Sequence, residues 1–257
     1  VNSYILGMAI VGILGFFLAY LTYLVRTTLF SAVANELKSS QLSRYFSPNV
    51  VDEISSADES FFTPGGKEQN VAVLFCDIEG FTQLSESIGP EETIKTLSEY
   101  HTLMLDEIFK NRGTLDKFIG DGMLITFGTP TSTKDDAKNA ILAGLGMKSK
   151  LNEWNIKRIE SNLKPISIRI GIHYGPAIVG NVGIAMRLEY TVIGDTVNVA
   201  SRLEALGKEV KRSFLVSREL LNQIPELNSI NAKFIPLGNH SLRGKSKQTE
   251  IIAVESL

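Results

Sequence analysis

Val73-Leu74-Phe75-Cys76-Asp77-Ile78-Glu79-Gly80-Phe81-Thr82 and, further on, Leu115-Asp116-Lys117-Phe118-Ile119-Gly120-Asp121-Gly122-Met123 each bring an aspartate to the end of a short apolar run. Val71 to Cys76 is unbroken in its apolarity and closed by polar and glycine residues, the pattern of a buried strand. Asp77 then stands at the strand's carboxyl end, where open α/β sheets bind ligands. Thr114 to Ile119 and Met123 to Phe127 flank Gly120-Asp121-Gly122, which predicts a hairpin with Asp121 at its tip. Two carboxylates on strand ends can hold hard divalent cations through oxygen, and that arrangement suits phosphoryl or nucleotidyl transfer. Each aspartate also has a purely structural reading, because Asp-Gly is a common hairpin turn and an aspartate after a strand often caps a helix.

Composition bounds the answer. The 257 residues, 44% hydrophobic and 21% charged, suit one globular domain plus an accessory segment. A net charge of -2 gives no general pull toward nucleic acid, and no nucleic-acid partner is expected. The single cysteine, Cys76, excludes an internal disulfide framework and a cysteine-only metal site. Its place inside the strand before Asp77 makes it a small core residue rather than a reactive thiol.

The amino terminus reads differently. Tyr4 to Val25 contains no charged residue and is rich in Ile, Leu, Phe, Ala and Gly. At about 1.5 Å per residue, such a helix crosses a bilayer core of roughly 30 Å. No basic segment precedes it and no small-residue cleavage site follows, so a transmembrane helix over 1–25 is expected rather than a signal peptide. Tyr20, Tyr23 and Arg26 fit an interfacial boundary with the positive side cytoplasmic. The chain begins with Val1, and a fragment of a larger membrane protein with an upstream sensor or membrane domain is the expectation.

Residues 26–69 read as a helical coupling linker and loop. Leu29, Val33, Leu37 and Leu42 recur at helical spacing, Ser47-Pro48-Asn49 breaks the helix, and Val50 to Ile54 suggests a short further one. Asp58 to Lys67, with Pro64-Gly65-Gly66, reads as a loop. Beyond Asn70, helices are expected over Glu91 to Phe109, Lys134 to Arg158 and Thr196 to Leu206. Strands are expected over Ile166 to Tyr174 and Ala177 to Val182 around a Gly175-Pro176 turn, and again over Lys233 to Leu237 and Glu250 to Val254. The class is α+β, with both hairpins and crossovers.

Four segments carry a resemblance: Phe75 to Thr82, Lys117 to Gly122, Glu189-Tyr190-Thr191-Val192-Ile193-Gly194-Asp195-Thr196-Val197-Asn198-Val199-Ala200-Ser201-Arg202-Leu203-Glu204, and Leu242-Arg243-Gly244-Lys245. In order and spacing they resemble the class III nucleotidyl cyclases, the adenylate and guanylate cyclase catalytic domains, over most of the chain from about Asn70 to Glu255. The resemblance implies a nucleotidyl cyclase catalytic domain over 70–257. Its fold would be a ferredoxin-like β-α-β-β-α-β core with additional strands, preceded by the transmembrane helix and helical linker. It also implies an enzyme that closes a nucleoside triphosphate into a 3′,5′-cyclic nucleotide and releases pyrophosphate.

On that resemblance Asp77, Asp121 and the carbonyl of Ile78 would bind two Mg²⁺ or Mn²⁺ ions per site. Asn198 would orient the ribose and Arg202 would meet charge building on the α-phosphate. They are four apart on an expected helix and so share a face. Lys245 matches a residue that binds the terminal phosphates, and Phe81 would pack near the substrate. Lys117 and Thr191 match the base-selecting pair. Adenine needs one donor and one acceptor, which lysine and threonine can supply, so ATP is the expected substrate. Lysine with aspartate is the family's common adenine pair; lysine with threonine occurs in a subset, some of it bicarbonate-responsive. Glu79 is expected to be solvated, and Arg169 and Arg187 are expected in surface or interface salt bridges.

The family's geometry divides these residues between subunits. The metal aspartates come from one chain and Lys117, Thr191, Asn198, Arg202 and Lys245 from its partner, so a homodimer would build two complete sites. The expectation is therefore a homodimeric adenylate cyclase at a bacterial inner membrane, anchored in the lipid bilayer through residues 4–25, with its catalytic domain cytoplasmic. The alternatives are a guanylate cyclase and a catalytically silent nucleotide-sensing dimerisation module. A diguanylate cyclase is excluded because no Gly-Gly-Asp/Glu-Glu-Phe turn is present.

Overall fold

The computed structural model describes residues 12, 14–18, 20–26, 28, 47–48, 50–51, 63–184, 186–242 and 248–256. The chain divides into two compact units, Val1–Phe46 and Ser47–Leu257. In the first, the described residues between 12 and 28 are helical and carry exposed apolar side chains such as Phe16, Phe17, Tyr20 and Tyr23. Among the described residues no helix is long and apolar enough to cross a membrane. Residues 4–11, 13 and 19 of the expected span lie outside the described residues, as do the linker helix over 29–42 and the first half, 58–62, of the loop over 58–67.

The second unit begins with Ser47, whose hydroxyl donates to the Leu115 carbonyl at 3.1 Å and accepts the Leu115 N–H at 2.8 Å. Its elements run β1 (Gly65–Ile78), α1 (Phe81–Ile88), α2 (Pro90–Lys110), β2 (Thr114–Ile119), β3 (Gly122–Phe127), α3 (Asp136–Glu160), β4 (Ile168–Ile184), β5 (Arg187–Ile193), α4 (Asp195–Val210), β6 (Phe214–Ser217), α5 (Arg218–Leu221), β7 (Ala232–His240) and β8 (Thr249–Ser256). The described strands make one eight-stranded sheet in the order β2-β3-β1-β4-β6-β8-β7, with β5 paired to β4. Strands β2, β3, β1 and β4 pair antiparallel with one another, β4 pairs parallel with β6, and the helices between β1 and β2 and between β3 and β4 make crossovers. The mixed α+β class is as expected.

The unbroken apolar run of β1 follows from burial on both faces. Ala72, Leu74, Cys76 and Ile78 alternate into a core with Tyr100, Met104 and Ile108 of α2 and Ala140, Ile141 and Met147 of α3. Val71 and Val73, with Phe75 beside them, face a second cluster with Val179, Val192 and Ala200, from β4, β5 and α4. Cys76 is buried as expected: its Sγ lies 3.2 Å from the Tyr100 hydroxyl, and burial pushes the thiol pKa up to about 12.

Two expected boundaries are corrected. Gly65 to Lys67 belong to β1 rather than to a loop, because Gly65 pairs with Asn181 and Lys67 with Val179 of a longer partner strand. Ile168 to Ile184 is one strand rather than two around a turn. Gly175 and Pro176 stay extended against Val71 and Asn70. On the other edge, β6 covers residues 170–172 and β5 covers 178–184, so Pro176 falls in the gap between them, where proline is tolerated.

Helix α4 lies close to β4 at Gly171. A Cβ there would stand 2.2 Å from the Glu204 nitrogen and 2.5 Å from the Ala200 carbonyl oxygen, both backbone atoms. Gly171→Ala is therefore expected to destabilise the domain by about 2 kcal/mol or more through overpacking. Gly65→Ala, whose Cβ meets nothing within 4 Å, should be close to neutral. Urea midpoints of the two variants check this, and equal midpoints would contradict it.

Candidate active site

Asp77 leaves β1 one residue before its end, on the face that carries α4. The hairpin of β2 and β3 brings Asp121 to it. The Asp121 Oδ2 accepts the Ile78 N–H at 3.2 Å, and the two carboxyl groups lie within hydrogen-bond reach of each other. Gly122 permits this approach, because a Cβ there would sit 3.1 Å from the Cys76 carbonyl oxygen and 3.3 Å from the Asp77 Oδ1. Burial, then the neighbouring Asp121 carboxyl, raises the Asp77 pKa to about 7. Paired carboxyl groups that resist ionising together are a fit for a divalent cation, which removes their repulsion. Among the described residues no group of three or more His, Cys, Asp or Glu side chains forms a metal site, so such an ion would rely on these two carboxylates and backbone oxygen.

Arg169, opposite Asp77 on β4, is the cation already present. Its Nη2 donates to the Asp77 Oδ2 at 3.5 Å, its Nε to the Glu204 Oε1 at 2.7 Å, and its Nη1 stands 3.9 Å from the Glu79 Oε1. Burial raises the Glu204 pKa, and Arg169 opposes that rise. Arg169 is salt-bridged, but it is largely buried beside Asp77 rather than at the surface as expected, a place that was not legible from the sequence. A charged residue between Ile168 and Ile170 in a buried strand was the available signal, since such a charge requires a partner. Glu79 is exposed, as expected apart from its long contact with Arg169. From this cluster a cleft of roughly 800 Å³ runs between the start of α1 and the end of α4, lined in part by Thr82, Gln83, Lys208, Lys211 and Arg212.

Lys117 and Thr191 come together as the resemblance implied, on a buried carboxylate that sequence reasoning missed. The Asp116 side chain, 4% exposed, accepts the Thr191 hydroxyl at 2.9 Å and the Val192 N–H at 3.1 Å, and lies 3.4 Å from the Lys117 Nζ. Glu189 also pairs with Lys117. Burial works against the Lys117 ammonium, but the Glu189 and Asp116 carboxylates outweigh it and hold its pKa above the ordinary lysine value. Burial raises the Asp116 pKa against the pull of Thr191, Lys117 and Val192.

Asn198 and Arg202 both lie on α4, whose Val199, Ala200 and Leu203 face inward. Asn198 is exposed. Arg202 is half-buried, and its buried Nη1 has no hydrogen-bond partner among the described residues, which is the state of a guanidinium suited to an incoming anion. Phe81 begins α1, partly buried against the core. Lys245 lies outside the described residues. His101 of α2 stacks on Phe118, with ring centroids 4.1 Å apart, and its burial lowers its pKa against the opposing effect of the Asp121 backbone.

The sign of the Asp77 shift gives a pH dependence. Its folded pKa, about 7, exceeds the value of 3.8 for the free side chain, so between these values the folded state holds a proton that the unfolded chain has lost. That contribution to stability is full below about 4 and is lost as pH rises through about 7. Thermal melts in chelator should show the decline, and Asp77→Asn should remove it. Added Mn²⁺ should raise the melting temperature more at pH 8 than at pH 5.5 for the wild type. An equal Mn²⁺ increment in Asp77→Asn would contradict the assignment.

Residues 64–253 match the adenylate and guanylate cyclase catalytic domain family. Adenylate cyclase 1 of Rhizobium meliloti is 37% identical over 186 residues, 72% of this chain and 27% of that protein. Adenylate cyclase of Anabaena cylindrica is 32% identical over 194 residues, 73% of this chain and 37% of that protein. The chain thus spans about a quarter to a third of the length of these curated relatives. Among solved structures, the adenylyl cyclase CyaB from P. aeruginosa is 33% identical with a TM-score of 0.65, covering 75% of this chain and 96% of that one. The guanylyl cyclase Cya2 is also 33% identical, with a TM-score of 0.66, covering 75% and 95%. The chain therefore belongs to the family of adenylate and guanylate cyclase catalytic domains.

Proposed function

We propose that this domain is an adenylate cyclase that converts ATP to 3′,5′-cyclic AMP and pyrophosphate in sites shared across a homodimer. The observation that carries the adenine reading is the convergence of Lys117 and Thr191 on Asp116. Lys117 offers a donor to N1 of adenine, and the Thr191 oxygen offers an acceptor to the N6 amino group. The relatives named adenylate cyclases support this reading. The likeness to the guanylyl cyclase Cya2 makes GTP the second reading.

In the reaction the ribose 3′-hydroxyl gives its proton to solvent water and its oxygen attacks the α-phosphorus. The new O3′–P bond forms as the bond from the α-phosphorus to the bridging oxygen breaks, and pyrophosphate leaves. Asp77, Asp121 and the Ile78 carbonyl would hold two Mg²⁺ or Mn²⁺ ions, which when bound make the 3′-hydroxyl more acidic and neutralise the triphosphate. Asn198 orients the ribose, and the Arg202 Nη1, without a partner among the described residues, meets charge on the α-phosphate. Arg169 and the basic cleft beside it supply countercharge for the departing phosphates, with Lys245 contributing from the partner. Phe81 packs beside the nucleotide.

The homodimer is supported by apolar side chains standing exposed along β4 and β5, in the turn between them and at the β2 tip: Ile178, Ile184, Met186, Ile193, Phe118 and Ile119, with Met186 94% exposed. A second copy would cover them. The core connectivity and strand order fit the ferredoxin-like reading. We also propose a bilayer anchor through residues 4–25 at a bacterial inner membrane, with the domain cytoplasmic, and an upstream sensor. The support for the anchor is the charge-free run from Tyr4 to Val25 and the exposed apolar helix residues within it.

Cyclic AMP and cyclic GMP formation from ATP and GTP, with Mg²⁺ and with Mn²⁺, tests the reading. Wild type should favour ATP in kcat/KM by about tenfold or more, and Asp121→Ala should lower kcat on the order of 100-fold. A preference for GTP would overturn the base assignment, and an undiminished Asp121→Ala rate would overturn the carboxylate pair.

A further inference from the structure

A threonine hydroxyl is ambivalent, since it can donate one hydrogen bond and accept two. Facing a nucleobase, it can accept from the N6 amino group of adenine or donate to O6 of guanine. Thr191 by itself therefore does not choose between them. Its surroundings remove the ambiguity.

Asp116 is the extra residue of a β-bulge. Leu115 pairs with Ile125 and Lys117 with Leu124, the next residue along β3, so Asp116 has no partner in the ladder. Bulges re-aim a side chain out of the regular alternation, and this one is turned onto β5. Both carboxylate oxygens of Asp116 lie 2.9 Å from the Thr191 hydroxyl, and Oδ2 also accepts the Val192 N–H at 3.1 Å. Thr191 is itself buried. With the Lys117 ammonium 3.4 Å from Oδ1 and the Val192 N–H donated to Oδ2, the carboxylate is set as an acceptor, so the Thr191 hydroxyl gives it its proton.

We propose that Asp116 is a positioning residue that sets base choice: by taking the Thr191 proton it fixes that hydroxyl as an acceptor, matched to the adenine amino group and opposed to the guanine carbonyl. The same carboxylate stands 3.4 Å from the Lys117 Nζ and so orders both members of the base-selecting pair. An acceptor facing the guanine O6 leaves two lone pairs opposed and both groups unpaired, a loss that disfavours GTP by about ten- to a hundredfold. This inference rests on the adenine reading above.

The test is the ratio of kcat/KM for ATP to that for GTP, measured on one preparation so that the folded fraction cancels. Asp116→Asn keeps the shape, and its amide oxygen can still accept the Val192 N–H. Its NH₂ would then donate to the Thr191 oxygen and turn the hydroxyl proton toward the base. The ratio is expected to fall about tenfold or more. Adding Thr191→Asp to that variant supplies an acceptor that needs no orienting neighbour, and the ratio should recover. Asp116→Glu, which keeps the acceptor, should stay nearer the wild type than Asp116→Asn does. A ratio in Asp116→Asn within twofold of wild type overturns the role of Asp116, and so does a fall that Thr191→Asp fails to reverse, since that marks a merely structural loss. A wild type with no preference for ATP overturns the adenine reading itself, a result distinct from either.

Discussion

The burial of β1 on both faces is the constraint from which the site follows. With α2 and α3 against Leu74 and Cys76, and β4, β5 and α4 against Val71 and Val73, the second half of the strand, from Val71, has no wet face. A carboxylate is costly inside such a layer and becomes tenable at its end, where water or a countercharge can reach it. Asp77 occupies that end, on the side where Arg169 and Glu204 already stand. The hairpin tip then closes over it, with Gly122 allowing backbone and carboxylate to approach. The site is thus a polar rim at the end of a dry sheet.

The charged groups of this rim are arranged so that few are buried alone. Arg169 answers Asp77, Glu79 and Glu204 together, while Asp116 and Glu189 hold Lys117. Arg202 is the exception, its buried Nη1 lacking a partner among the described residues. Groups that satisfy one another can be prepositioned without a ligand, whereas a buried donor without a partner is suited to an incoming anion. This contrast, between the satisfied network around Asp116 and the Arg202 Nη1 without a partner among the described residues, follows from the same cost of burying an unpaired polar group.

Much of the fold was legible because its strongest signals are periodic or categorical. The apolar run before Asp77, the Gly-Asp-Gly hairpin and the amphipathic α2 and α3 all follow from spacing and turn chemistry. Gly175-Pro176 misled because a proline reads as a break, and whether a strand tolerates it depends on which neighbour lies on its other edge. The start of β1 at Gly65 was hidden for the same reason, since its pairing belongs to Asn181, far along the chain. In the site, Asp77, Asp121, Lys117 and Thr191 were legible from their motifs. Asp116 was not, because a bulge is a property of two strands in register, and neither strand alone announces it.

The central claim is that one chain supplies both halves of a composite site, the carboxylate pair to one and the base- and phosphate-binding residues to the other. Mixing Asp77→Ala with Arg202→Ala tests it most directly, with the heterodimer verified by differential tags. Each variant alone should be inactive, and the mixture should regain a substantial part of the wild-type rate of cyclic AMP formation, because one of its two sites is then intact. A verified mixed dimer that stays as inactive as its parents would contradict the account.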